Sequence, residues 1–217
     1  MQGVANDASI VAVQVFSFDT QRRELPTAYT QGQSAAMDAV MRAMTPGTTN
    51  NPYTVNSSIA GGNHVTICPY VDQVYQNAVT VLYGWGVPVV ASTGNQSNRG
   101  LIGFPSCMKN VIKVGALQNF GYGTTIIGSS LGDPANWPGD YSWLAPGYGV
   151  ISAGNANSPQ YMPLGGTSQA APHVAGVHAL IKSAFPEKSV LQLSQWIETR
   201  EPQSGPMNAA ADDVAAV

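Results

Sequence analysis

Charge is what this sequence most lacks. Of 217 residues only 10% are Asp, Glu, Lys or Arg, and the formal net charge is −3. The nine Lys and Arg residues form no cluster, so the basic face that a nucleic-acid backbone requires is missing. Histidine occurs three times, and the first is His64. Cysteine occurs only at Cys68 and Cys107, which leaves room for one disulfide or for two buried thiols. No apolar run reaches the length of a membrane span. Residues 1–7 are small and polar, unlike an export signal. No phosphate-type glycine fingerprint follows a strand pattern, which counts against an α/β small-molecule binder.

What is present is a globular, loop-rich composition: 44% apolar residues, 23 Gly and 15 Pro. The length suits one domain with a sizeable core. Residues 10–16 (Ile-Val-Ala-Val-Gln-Val-Phe) have the nearly continuous apolar character of a strand buried on both faces. A polar loop is expected to about Gln33. Met37, Val40, Met41 and Met44 then recur at helical spacing until Pro46-Gly47. Residues 53–59 predict a strand closed by Ala60-Gly61-Gly62. Val71, Val74, Tyr75, Ala78 and Leu82 predict a helix ending at Gly84 or Gly86. Strands are expected over 87–92 and 111–116, a loop over 117–148, and a short strand over 149–153. Helices are expected over 168–185 and from Val190 to Ile197. Residues 201–217 read as a tail or linker. Alternating strands and helices predict an α/β domain with a mostly parallel sheet. Ligands of such sheets bind beyond the carboxyl ends of the strands, where Gly61-Gly62 and Gly94-Asn95 fall.

The most informative stretch is Gly165-Gly166-Thr167-Ser168-Gln169-Ala170-Ala171-Pro172-His173-Val174-Ala175-Gly176. Two glycines permit a sharp turn and a close approach. The helix that follows opens with N–H groups that have no intrahelical partner and attract negative charge. Pro172 is expected in the first turn, where its missing N–H matters little. A serine at such a place is either a plain helix cap or a seated nucleophile.

The whole string closely resembles the nucleophile motif of the subtilisin-like serine proteases, G-T-S-M-A-[AS]-P-H-V-A-G, with Gln169 in place of Met. The resemblance implies that Ser168 is the nucleophile and that His173 is structural. Residues 89–95 (Val-Val-Ala-Ser-Thr-Gly-Asn) resemble the family's V-V-A-A-A-G-N segment, which implies that Asn95 is the side-chain donor of the oxyanion hole. A neutral amide can donate to a developing oxyanion without a counter-ion of its own. Residues 55–61 resemble the I-N-M-S-L-G-G strand end. That implies a substrate-binding wall at Ser58, Ile59, Ala60 and Gly61, facing a second wall at Ser92, Thr93 and Gly94. Gln96 and Gly103 would lie at the rim and base of the pocket. No acidic residue falls there, so an uncharged side chain is expected before the cleaved bond. Residues 104–116 resemble the family's P-A-C-…-V-I-x-V-G-A strand, and Ala145-Pro146-Gly147 its A-P-G turn. The family positions of Cys68 and Cys107 imply a disulfide of the exported kind and hence an extracytoplasmic protein. Calcium sites are common in the family, but no ligand loop can be assigned here, and neither a cofactor nor a metal is expected otherwise.

A serine hydroxyl needs a base, and the base needs an orienting carboxylate. In the family these stand in D-[ST]-G and H-G-T-H-V-A-G segments. The sequence contains neither, and no histidine precedes His64. Asp19, His64 and Ser168 mimic the family order. However, residues 3–13 resemble G-V-A-P-x-A-x-I-x-A-V-K-V, which follows the catalytic-histidine helix, so the first strand is not the aspartate strand. His64 is expected in a loop and His178 on a helix face. The resemblance therefore implies a partial catalytic domain over residues 1–200, of three-layer α/β type. It would lack its N-terminal strands and histidine helix, with Met1 an internal or artificial start. The expected activity is serine endopeptidase chemistry on polypeptides, nearly silent in this chain. The alternative is a non-catalytic module that binds extended peptides.

Overall fold

The computed structural model describes residues 3–16, 28–44, 51–98, 100–120, 123–127, 142–154, 160–198 and 214–216. Its centre is a six-stranded sheet built from β1 (Val55–Ser57), β3 (Val89–Ser92), β5 (Val111–Phe120), β6 (Gly123–Ile127), β7 (Ser142–Pro146) and β10 (Val214–Ala216). The order is β1-β3-β5-β7-β10, with β6 folded back on β5. Every pair along that path is parallel, and only the β5–β6 hairpin is antiparallel. Two ribbons stand apart from the sheet: β2 (Gly61–His64) with β4 (Ile102–Phe104), and β8 (Val150–Ala153) with β9 (Tyr161–Leu164).

Helices cover both faces. The period-2 alternation of the strands divides their side chains between two cores. Val89, Ala91 and Val111 point to one core, with Met37, Tyr75, Val79 and Leu82. Those residues belong to α1 (Ala28–Ala43) and α2 (Gln73–Gly84), apart from the strand residues themselves. Val90, Ile112, Val114 and Trp143 point to the other core, with Ala171, Val174, Val190 and Ile197. These come from α3 (Thr167–Ala184) and α4 (Val190–Glu198). Burying each such Val, Leu or Ile side chain is worth roughly 1.5–3 kcal/mol. The expected three-layer α/β arrangement is therefore present.

Lys113 is an exception to the apolar filling. It is fully buried, and its Nζ donates to the carbonyls of Met108 and Val111. At the start of α2, Asp72 accepts from the Tyr75 N–H at 2.9 Å and so caps the helix. The same carboxylate accepts from the Ser34 hydroxyl and ties α1 to α2.

Four sequence expectations need correction. Residues 10–16 are not a buried strand: they join no sheet among the described residues, and Ile10 and Val11 are 90% and 85% exposed. Apolar character marks a strand only where a neighbour can take its N–H and C=O groups, and among the described residues β1 is the sheet edge and pairs only with β3. The residues just before this segment instead lie along α3. A Cβ on Gly176 would stand 2.9 Å from that of Val4, so the glycine admits the chain there. Second, α1 begins at Ala28, inside the expected polar loop. Third, residues 117–148 are not all loop, because they hold the end of β5, β6 and β7. The β7 sequence Ser-Trp-Leu-Ala-Pro shows no alternation because its first four residues are buried. Fourth, His64 ends β2 rather than lying in a loop; His178 does lie on a face of α3, and it is wholly buried there. Within the stretch expected to be a tail, Val214–Ala216 pair with Ser142–Leu144 of β7.

Candidate active site

The N-terminus of α3 meets the carboxyl ends of β1 and β3. Gly166 takes φ 141° and ψ 175°, and the helix starts at Thr167 with no side-chain cap. A Cβ on Gly166 would lie 2.9 Å from both amide atoms of Asn95, so only glycine lets the two segments close. Gly94, at φ 113°, makes the turn that follows β3 and presents Asn95.

Thr167 holds Asn95 in one orientation. The Thr167 N–H donates to Asn95 Oδ1 at 2.9 Å, and the Thr167 hydroxyl donates to the same oxygen at 3.1 Å. A backbone N–H can only donate, so the amide atom facing it must be the oxygen. Asn95 Nδ2 is thereby left as a donor beside the start of α3. The Gly94 N–H donates to Thr167 Oγ1 at 3.1 Å, which locks the threonine in turn. Sequence reasoning assigned Thr167 no role. It lies 72 residues from Asn95, and no local pattern connects them.

Ser168 Oγ donates to the backbone carbonyl of Ser58 at 3.0 Å. That contact brings the nucleophile candidate onto the end of the β1 segment. Nearby, a Cβ on Gly103 would come within 2.9 Å of the Gly61 nitrogen and 3.1 Å of the Ala60 Cβ. The Gly103 N–H donates to the Thr93 carbonyl at 2.9 Å. The expected wall residues Ser58, Ala60, Gly61, Thr93 and Gly94 are therefore drawn together with Asn95 and Ser168. The side chains of Ser92 and Thr93 are buried and face inward, so only their backbone can form a wall. Ile59 is half-buried between Ser58 and Ala60.

Pro172 is not in the first turn. It is the sixth residue of α3, and without an N–H it leaves the Ser168 carbonyl lacking its helical donor.

None of the three histidine rings is hydrogen-bonded to Ser168. His173 Nδ1 contacts the Gln169 carbonyl at 2.8 Å within α3, in keeping with a structural part. His178 packs edge-on against Trp143, with ring centroids 5.8 Å apart, and among the described residues neither ring nitrogen has a hydrogen-bond partner. Burial lowers its pKa to about 4. The His64 imidazole is also pushed down by burial, and it lies beside the cysteines. Asp19 falls outside the described residues. A groove of about 480 Å³ between Phe185 and Trp196 lies at the far end of α3 from Ser168 and takes no part in this site.

Cys68 and Cys107 form a disulfide, both cysteines being fully buried. Their backbones are also joined, the Cys68 N–H donating to the Cys107 carbonyl at 2.8 Å.

Comparison with known proteins places this geometry in context. The profile of a family described as the subtilase family matches residues 1–212. Subtilisin DY from Bacillus licheniformis is 30% identical over 194 residues, covering 88% of this chain and 60% of its own length. An extracellular protease of Xanthomonas campestris pv. campestris is 30% identical over 141 residues, covering 65% of this chain and 23% of its own. Among solved structures, sphericase superposes with a TM-score of 0.62 at 27% identity, covering 79% of this chain and 55% of that one. The chain thus spans about 60% of subtilisin DY and less of the extracellular protease.

Proposed function

The chain belongs to the subtilase family, and from that premise we propose that it carries the nucleophile half of a serine endopeptidase site. Ser168 attacks the scissile carbonyl of a polypeptide. The oxygen that becomes negative is held by Asn95 Nδ2 and the Ser168 N–H, two donors fixed before reaction begins. The peptide runs extended beside Ser58–Gly61 and Thr93–Gly94, gaining main-chain hydrogen bonds whatever its sequence. No carboxylate occurs at 58–61, 92–96 or 103, in keeping with an uncharged side chain before the cleaved bond. The observation that carries the proposal is the clamp of Thr167 on Asn95 Oδ1, which leaves the Nδ2 donor at the start of α3, next to Gly166. A binding module has no use for a donor so placed.

The aspartate and histidine of the triad come from a segment outside these 217 residues. The unpaired outer edge of β1 among the described residues, the exposed apolar segment 10–16 and the partial coverage of relatives support this. Without a base the Ser168 proton rests on the Ser58 carbonyl, which cannot abstract it, and the chain alone is nearly inactive. The disulfide supports action outside the cytoplasm, where such bonds persist.

A fluorophosphonate probe, which reacts only with an activated serine, tests this. The 217-residue chain should not label, whereas the chain completed by a segment bearing D-[ST]-G and H-G-T-H-V-A-G should label at Ser168. Strong labelling of Ser168 in the chain alone would overturn the assignment of the base to another segment. A completed chain that binds extended peptides without labelling would instead establish the non-catalytic peptide-binding alternative.

A further inference from the structure

Away from Ser168, one ring nitrogen of His64 and the sulfurs of Cys68 and Cys107 all lie within 4.8 Å of one another. A tetrahedral zinc centre with Zn–S near 2.3 Å and Zn–N near 2.0–2.1 Å places its ligand atoms roughly 3.5–3.8 Å apart, so after reduction the two bonded sulfurs part to that spacing by side-chain rotation while the nearby imidazole stays within reach. We propose that, once the Cys68–Cys107 bond is reduced, His64, Cys68 and Cys107 form a three-ligand site for a thiophilic divalent cation, zinc above all.

Backbone hydrogen bonds hold the frame that presents the three donors, in addition to the sulfur–sulfur bond. His64 ends β2 and is paired with Ile102 of β4. Cys107 follows β4, and its N–H donates to the Gly103 carbonyl at 3.0 Å. The Cys68 N–H bonds the Cys107 carbonyl directly. The imidazole folds back over β2, so that a Cβ on Gly62 would stand 3.1 Å from its Nε2. No hydrogen bond occupies that ring among the described residues. Reduction therefore frees two sulfurs in a backbone that already holds them next to an unoccupied nitrogen donor.

Charge also favours this ligand set. Both cysteines are fully buried in a core with Ile102, Phe104 and Met108. An isolated thiolate is disfavoured in such surroundings. A divalent cation with two thiolates and a neutral imidazole is a neutral unit, which an apolar core tolerates far better than separate charges. His64 is only half-buried and so provides the path by which the cation enters and a water completes the fourth position.

The chemistry balances with an external thiol as reductant. Two small thiols deliver two electrons and two protons to the Cys68–Cys107 bond and leave as their own disulfide. The two new thiols then release their protons to solvent as the cation binds. The same loop, with ends 39 residues apart, is closed by a covalent bond in oxidising surroundings and by a metal in reducing ones.

The test uses the full chain reduced with a phosphine, which introduces no competing thiol, and titrated with cobalt(II). A thiolate-to-cobalt charge-transfer absorption should appear, saturate at one equivalent and disappear when zinc is added. The disulfide form should not show it. His64→Gln should fold normally while oxidised, by circular dichroism, and when reduced should bind cobalt at least tenfold more weakly. Cys107→Ser should lose the high-affinity band. A reduced chain with no such absorption overturns the proposal, as does unchanged affinity in His64→Gln, which would mean that the thiols bind without the histidine.

Discussion

Acidification should weaken this fold through a single buried imidazole. His178 is fully buried on α3 against Trp143, neither ring nitrogen has a hydrogen-bond partner among the described residues, and its pKa is lowered from 6.5 to about 4 by burial. The folded protein thus prefers the neutral ring. Above pH 6.5 the ring is neutral in both states and adds no pH dependence. As pH falls below 6.5 the unfolded chain takes up a proton that the folded chain refuses, and stability declines. The decline ends near pH 4, where the folded state protonates as well. Over that window of about 2.5 units, at 1.36 kcal/mol per unit, the loss amounts to about 3 kcal/mol. That is a large fraction of the roughly 5–15 kcal/mol typical of a domain. His178→Leu removes the titration and keeps a side chain of similar bulk. Urea unfolding followed by tryptophan fluorescence should give curves for the two proteins that lie close at pH 7.5. At pH 5 the Leu variant should be the more stable by about 2 kcal/mol. Carboxylate titrations are common to both chains and cancel in the difference. Parallel pH dependences between 6.5 and 4 would refute the claim that His178 is held neutral by burial.

Three further outcomes are expected. In the completed enzyme, Asn95→Ala should lower kcat by about 10²–10³ with little change in KM, a figure that comes from a subtilisin itself. Thr167→Val, which removes the hydroxyl donor but keeps the N–H, should lower kcat by about tenfold, the worth of one hydrogen bond, and both are read from steady-state peptide hydrolysis. Replacing Cys68 and Cys107 together by Ser should destabilise the metal-free chain by about 4 kcal/mol in the chain-entropy picture, given the 39-residue separation. Urea midpoints compared with the disulfide form measure this, and equal midpoints would show that the bridge constrains nothing.

Much of the architecture was legible because it rests on local pattern. The helical spacing of Met37, Val40, Met41 and Met44, the apolar run at 89–92 and the glycine punctuation of 165–166 each define an element from neighbours a few residues away. The stretches that failed were those whose state depends on distant partners. Residues 10–16 have strand composition but join no strand ladder among the described residues. Ser142–Pro146 have poor strand composition but lie between β5 and β10, which supply one.

For the site, Ser168 and Asn95 were singled out by the resemblance of their segments to subtilase motifs, because a serine at a helix start or a Gly-Asn at a strand end is by itself as readily a cap or a turn. Composition and motif also determined the class of fold, since alternating strand and helix patterns are local properties of the chain. Only the tertiary structure decided which way the Asn95 amide faces, because Thr167 reaches it across 72 residues of chain. Only the tertiary structure set His64 beside the two cysteines and sealed His178 against Trp143. Hydrogen-bond direction, burial and donor convergence are properties of pairs brought together in space, and sequence order leaves those pairs unspecified.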